Sequence, residues 1–371
     1  MNGKRILSTI LATALLVSCL LFGGCSTPSV ALEVDGKVYT MGDYLAYMYN
    51  TMSTDQQIST YLYYYGEQAL SQKVTYGDEE KEITLSEYIK RTTQDVMIRQ
   101  KAIEDLLKTY DIAWDEEDLK KINEEISKMK PDTFLHLGFN NDRYIAMYKA
   151  VYLNESSLFF GLYDEGGKKE VSDADERKWF DEHYYSYKSI EIPLVDSETS
   201  KELSAEDVTK IENQLKGYLD IFNDKGKNSA AFDEAYRKYL ADTTKKTETT
   251  SKEETPATAT RNDLADVSMD EELLKVIKTI NEGEISIKTY QQGGTTKTMA
   301  LIFRMDPEAE RGKDKDGKDI DFYADSHEQI LQHMKYEELN EEIDKEVKEL
   351  TDKVTVNKQA INAADPMDML Q

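Results

Sequence analysis

The chain has 371 residues, 39% hydrophobic and 32% charged, with 72 acidic side chains against 46 basic ones and a formal net charge of −26. That length accommodates two or three modest domains with real cores, while the acidity argues against nucleic acid as a partner and against a protein lying flat on an anionic membrane surface. Only Cys19 and Cys25 occur, so disulfide frameworks, thiolate zinc sites and cysteine catalysis are excluded beyond residue 25.

The N-terminus starts with Lys4 and Arg5, continues as an apolar run from Ile6 to Phe22, and closes on Gly23-Gly24-Cys25-Ser26-Thr27-Pro28. This is the pattern of a secretory signal peptide, residues 1–24. Its terminal cysteine resembles a bacterial lipobox, with Cys25 lipidated and residues 25–29 as a tether. Leu16-Val17-Ser18-Cys19 is a second match, which leaves Leu20-Leu21-Phe22 on the mature chain. Removing residues 1–24 takes away two basic residues and no acid, which moves the charge from −26 to −28. A diacylglyceryl group supplies two acyl chains, enough for stable anchoring where a single chain is marginal.

Val30–Met41 reads as two strands joined by an Asp35-Gly36 turn. Helical periodicity follows over Gly42–Leu70, Leu85–Thr109, Glu116–Lys130, Asp142–Tyr163 and Ser172–Glu182, with Tyr88, Val96, Ile103 and Leu107 returning to one face of the second of these. Ser189–Val195 alternates as a strand. Two helices come next, carrying Val208, Ile211, Leu215, Tyr218 and Phe222, and then Phe232, Ala235, Tyr236 and Tyr239. From Asp242 to Asn262 no apolar residue exceeds Ala, which predicts a flexible insert. A helix over Asp270–Ile280 precedes a hairpin, Ile285–Gln291 and Lys297–Met305, turning at Gly293-Gly294. A charged loop, Gly312–Asp321, leads to a long helix from Asp325 to Lys353 whose stripe of Leu339, Ile343, Val347, Leu350 and Val354 must lie against something. The predicted class is α+β and mainly helical.

This order of elements resembles lipoprotein foldases of the PrsA/SurA type, in which a parvulin domain is inserted into a helical chaperone domain. The likeness rests on Val34-Asp35-Gly36-Lys37-Val38-Tyr39, on Asp175-Glu176 leading into Trp179-Phe180-Asp181-Glu182-His183, on Asn281-Glu282-Gly283-Glu284-Ile285-Ser286, and on Val354-Thr355-Val356-Asn357. It implies a SurA-N-like chaperone domain over 30–183, a parvulin-like β-α-β module over 184–306 and a C-terminal segment, 307–371, returning to the chaperone domain. It further implies an extracytoplasmic, lipid-anchored protein of a Gram-positive bacterium that binds unfolded or nascent exported proteins, with no cofactor. Parvulins carry a histidine on the first and last strands of the module; the matching positions here hold Glu191 and Ala300, and the Thr-rich insert replaces the Gly-rich pocket segment. An isomerase must hold the peptide twisted and desolvated to lower a rotation barrier of about 18–20 kcal/mol, so this pattern favours a peptide-binding module. An active prolyl isomerase with a rearranged pocket is the alternative. A solute-binding lipoprotein is a third reading, opposed by the scarcity of βαβ units.

The tyrosine runs Tyr61-Leu62-Tyr63-Tyr64-Tyr65 and Tyr184-Tyr185-Ser186-Tyr187 divide between helix core and a surface for peptides; Tyr63, Tyr64, Tyr65, Tyr184 and Tyr185 are the peptide-binding candidates. His327 and His333, six apart on one helix, fall on different faces and do not read as a zinc pair. Asp314, Asp316, Asp319 and Asp321 miss the spacing of a calcium loop and read as a solvated turn.

Overall fold

The computed structural model describes residues 29–77, 81–196, 199–244, 270–307 and 322–370. The leader with Cys19 and Cys25, residues 245–262 of the Thr-rich insert and the Gly312–Asp321 loop lie outside the described residues. The fold class is α+β, mainly helical with small antiparallel sheets. Two compact units form: residues up to Val171 together with Lys335 onward, and Ser172–Met334.

The first unit opens with β1 (Val30–Val34) and β2 (Lys37–Thr40), antiparallel about Asp35 and Gly36, whose φ values of 46° and 83° are the positive pair that a tight hairpin requires. Thr40 and Asp43 form a reciprocal capping box that starts α1 (Met41–Thr54). The helix expected to run on to Leu70 breaks at Asp55, which takes extended backbone and caps α2 (Gln56–Tyr65) through Ile58 N–H at 2.9 Å. A 3-10 turn, Gly66–Ser71, and a short hairpin of β3 (Lys73–Tyr76) and β4 (Lys81–Thr84) follow. That hairpin has no clear alternation in four-residue strands, and the sequence reading missed it.

Helix α3 (Leu85–Tyr110) is the spine of this unit. Its buried face runs through Leu85, Ile89, Thr93, Met97, Gln100, Ile103 and Leu107. Tyr88 and Val96, expected on that face, sit one step off it and are half-buried. Against α3 pack α1 and α5 (Asn141–Tyr163), while α4 (Glu116–Ile126) lies along α5 with no fully buried residue. The chain's last long helix, α10 (Phe322–Thr351), passes from the second unit into the first. There Leu339, Ile343 and Leu350 of the expected stripe are fully buried, while Val347 is half-buried and Val354 falls beyond the helix. Arg99 reaches Glu155 (3.2 Å) and Asn340 (2.8 Å), and Glu342 takes bonds from Tyr110 and Lys169. β8 (Val354–Val356) then pairs antiparallel with β1, giving the order β2-β1-β8, so a strand near each end of the described chain shares one sheet. A short helix, α11 (Lys358–Ala363), and a 3-10 turn complete it.

The second unit starts with α6 (Asp173–His183), capped by Ser172. Phe180 and Tyr184 pack with Phe322, Tyr323 and Ile330 at the start of α10. That cluster places the dividing lines at 171/172 and 334/335. A three-stranded antiparallel sheet of order β5-β7-β6 forms its centre: β5 (Ser186–Pro193), β7 (Thr296–Met305) and β6 (Ile285–Gln292). One face packs on α7 (Ala205–Asp224) and α8 (Ser229–Thr244) through Leu215, Phe222, Phe232, Leu301 and Phe303. The other is covered by α9 (Glu271–Lys278) through Leu273, Leu274 and Ile277.

Candidate functional site

Strand register brings together the two positions that the sequence resemblance singled out: Glu191 on β5 pairs directly with Ala300 on β7. Lys288 on β6 pairs with Ala300 from the other side, so all three side chains leave the same face of the sheet. The Glu191 carboxylate accepts from Ser189 Oγ at 2.5 Å and from the Tyr290 hydroxyl at 2.7 Å. Burial, helped by that bond to a carboxylate, pushes the Tyr290 phenol well above its ordinary value, so it stays protonated and donates. Ala300 is fully buried beneath α9, among Tyr187, Ile277, Tyr290 and Ile302. This face of the sheet is filled by α9 and by the Tyr290 phenol.

The histidines lie elsewhere. His327 Nδ1 is 2.7 Å from the buried Glu176 carboxylate, and His183 and His333 both stack near-parallel to the Trp179 indole, at 4.1 and 5.5 Å. Each is occupied by packing. Among the described residues no group of three or more His, Cys, Asp or Glu is placed to hold a metal.

The tyrosine candidates separate cleanly. Tyr63, Tyr64 and Tyr65 end α2 with 84%, 73% and 50% of their surface exposed. Tyr63 and Tyr64 meet edge to face at 5.2 Å, and Tyr65 lies 5.7 Å from Tyr61. Consecutive residues on a helix point 100° apart and cannot share one buried face, which leaves this run in water. Tyr184 and Tyr185, in contrast, are 2% and 8% exposed. Tyr184 stacks on Phe180 at 4.6 Å. Tyr185 donates to the Glu182 carbonyl at 2.7 Å and lies under the Arg304 guanidinium, 4.9 Å from its centroid. The expectation that these two offer a peptide surface is corrected: they seal the entry to β5, because the strand that follows turns them inward.

A second aromatic group escaped the sequence reading. On α5, Tyr144 stacks on Phe134 at 4.1 Å and on Tyr148 at 5.6 Å, and Tyr148 meets Tyr152 at 4.3 Å. The signal was present, since residues 144, 148 and 152 repeat every four positions and must form a column along one helix face.

Among the clefts of the first unit, two stand beside its C-terminal segment. One of about 480 Å³ is lined by Met41, Leu45, Leu137 and Met369; the other, of about 510 Å³, is lined by Glu87, Lys90, Arg91 and Ile361. Lys90 donates to the Asn362 carbonyl at 3.0 Å, which ties the second to α11.

Among the solved structures similar to this chain are two PrsA foldases. That of Lactococcus lactis is 12% identical, covering 91% of this chain and 97% of its own, with a TM-score of 0.32. That of Streptococcus pneumoniae is 14% identical, covering 78% of this chain and 97% of its own, with a TM-score of 0.31. No family model matches the chain, and no curated protein does. Among the described residues no helix is long and apolar enough to cross a membrane.

Proposed function

We propose that the chain is an extracytoplasmic foldase that works by holding unfolded segments of exported proteins, anchored to the membrane through a lipid on Cys25. The observation that carries this reading is the exposed run Tyr63-Tyr64-Tyr65. Tyrosine presents a large flat area with two side-chain torsions to immobilise, so it binds varied peptides at low entropic cost, and contiguous exposed apolar surface marks interaction sites. The element order of the sequence, with its leader and lipobox-like cysteine, agrees with this setting. In the second unit, the sheet with Glu191 and Ala300 acts as a binding or structural module, because the face that would grip a proline is packed shut.

Replacing Tyr63, Tyr64 and Tyr65 together by Ser tests the reading. The side chains contribute little to the core, so thermal stability should change by less than about 0.5 kcal/mol. Suppression of aggregation of a chemically unfolded client, followed by light scattering, should fall several-fold. Full suppression by the variant would sink the reading.

A further inference from the structure

Helix α4 is strongly amphipathic and poorly covered. Leu119, Ile122 and Ile126 recur on one face, yet all three remain half-exposed. Its polar positions carry Glu116, Glu117, Asp118, Glu124 and Glu125 against Lys120 and Lys121, and Lys121 is already paired with Glu117 (3.4 Å) and Asp118 (3.0 Å). Beside it runs the α5 column. Its inner end is buried at Phe134 and Phe139, which stack at 5.3 Å. The column opens outward until Tyr152 is 50% exposed. Glu125 joins the two helices by accepting from the Tyr148 hydroxyl at 2.9 Å. Burial and that bond push the Tyr148 phenol up to about 12, so it remains a neutral ring with an acid alongside.

We propose that this face holds extended client segments carrying both aromatic or aliphatic side chains and Lys or Arg. The inference rests on the holding function proposed above and names the class of segment that this surface accepts. Tyr144 to Tyr152 spans about 12 Å of helix, the reach of about four extended residues. Side chains alternating along such a segment set rings and aliphatic groups on the tyrosines and toward the Leu119–Ile126 stripe. Cations between them meet the carboxylates of α4 and the π faces of the exposed rings. A segment bearing Asp or Glu meets like charge from α4 and from a chain of net charge −26, and is rejected.

Three fluorescein-labelled 12-residue peptides, titrated by anisotropy against the full chain in detergent, test this. The first alternates Phe or Leu with Lys or Arg, the second has Glu in place of the cations, and the third has Ser in place of the apolar residues. The first should bind at least tenfold tighter than either other and weaken as salt rises from 50 to 300 mM. The double variant Tyr148→Ser, Tyr152→Ser should lose at least tenfold in affinity for it. Glu124→Gln with Glu125→Gln should lose about threefold and part of the salt dependence, which keeps a readout if the double tyrosine variant fails to fold. Equal binding of the acidic peptide, or unchanged affinity in both variants, would overturn the inference. Aggregation assays separate the two proposals. A chain that suppresses aggregation yet ignores these substitutions is a foldase with another client surface. A chain that neither suppresses aggregation nor binds any of the peptides refutes both.

Discussion

At the scale of single residues, buried polar atoms are the most exacting feature of the first unit. Asn154 is fully enclosed, accepting from the Trp114 indole N–H at 2.8 Å and donating to Gln100 Oε1 at 3.0 Å. Trp114 is partly exposed and can turn to water, whereas Gln100 is 5% exposed and cannot. Asn154→Ala should therefore destabilise the chain by about 1–3 kcal/mol, seen as a lower urea midpoint with unchanged slope. Glu191 and Ala300 show a different residue-scale lesson. Their places on the first and last strands were legible from the sequence. Their direct pairing and the filling of their face were not, because these depend on strand register and on α9. A second prediction follows from that packing. Placing histidines at both positions, as Glu191→His with Ala300→His, should not create an isomerase. Ala300→His forces a ring beneath α9 and should cost about 1–3 kcal/mol by overpacking. Exchange of a short X-Pro peptide, measured by NMR, should stay at the spontaneous rate with the parent chain and with the variant. Acceleration by the parent chain would show that another surface performs the isomerisation.

At the scale of elements, caps and turns decided most boundaries, and these were the parts that the sequence displayed best. Ser172, Asp270 and Asp35-Gly36 each mark an element end by local chemistry alone. The break at Asp55 was hidden because the apolar period continues across it, and the β3–β4 hairpin because its strands are too short to alternate visibly. Asp270 also does more than cap. Its carboxylate accepts from the backbone N–H of Glu272 and Leu273 at the start of α9, and from Gly293 in the β6–β7 turn. It thereby fixes the helix that closes the Ala300 face to the hairpin that carries it. Burial works to raise its pKa, but the N–H bonds from Gly293, Leu273 and Glu272 outweigh it and hold the carboxyl below its usual value. Since the folded value is the lower one, the stabilisation is fully present above the unfolded value of about 3.9 and is lost as pH falls through the depressed folded value. Asp270→Asn should cost about 1 kcal/mol at neutral pH. The difference from the parent should shrink as pH falls below about 4, checked by urea melts across pH 2–7. A difference that stayed constant would assign the effect to packing rather than charge.

At the scale of the whole molecule, the proposed holding function needs a chain kept at the membrane where clients emerge, and one that tolerates both its ends being tied down. β1 and β8 meet this second need: residues 30–34 and 354–356 share a sheet, so a tether leading to Val30 enters the first unit at the strand that also receives its C-terminal segment. The Asn357 side chain reinforces the joint by donating to the Val30 carbonyl at 2.9 Å. Pull on an N-terminal anchor would load β1 along a two-sided ladder rather than peel a single edge. Such placement was legible only in part: Val354–Asn357 could be recognised as a closing segment by resemblance, but its partner strand lies more than 300 residues away and no local signal names it. Two acyl chains on one cysteine hold a protein to a bilayer where a single chain releases it. In the host, Cys25→Ser should therefore move the protein from the membrane fraction to the medium, or leave it retained only by an uncleaved leader of higher mass. Cys19→Ser should leave both mass and fractionation unchanged. Metabolic labelling with a fatty-acid analogue discriminates the outcomes: label lost with Cys25→Ser and kept with Cys19→Ser assigns the anchor, and the opposite pattern moves it to Cys19. Because the described core contains neither cysteine, neither substitution should shift thermal stability, so a change in client rescue on release would measure what tethering adds to the proposed holding function.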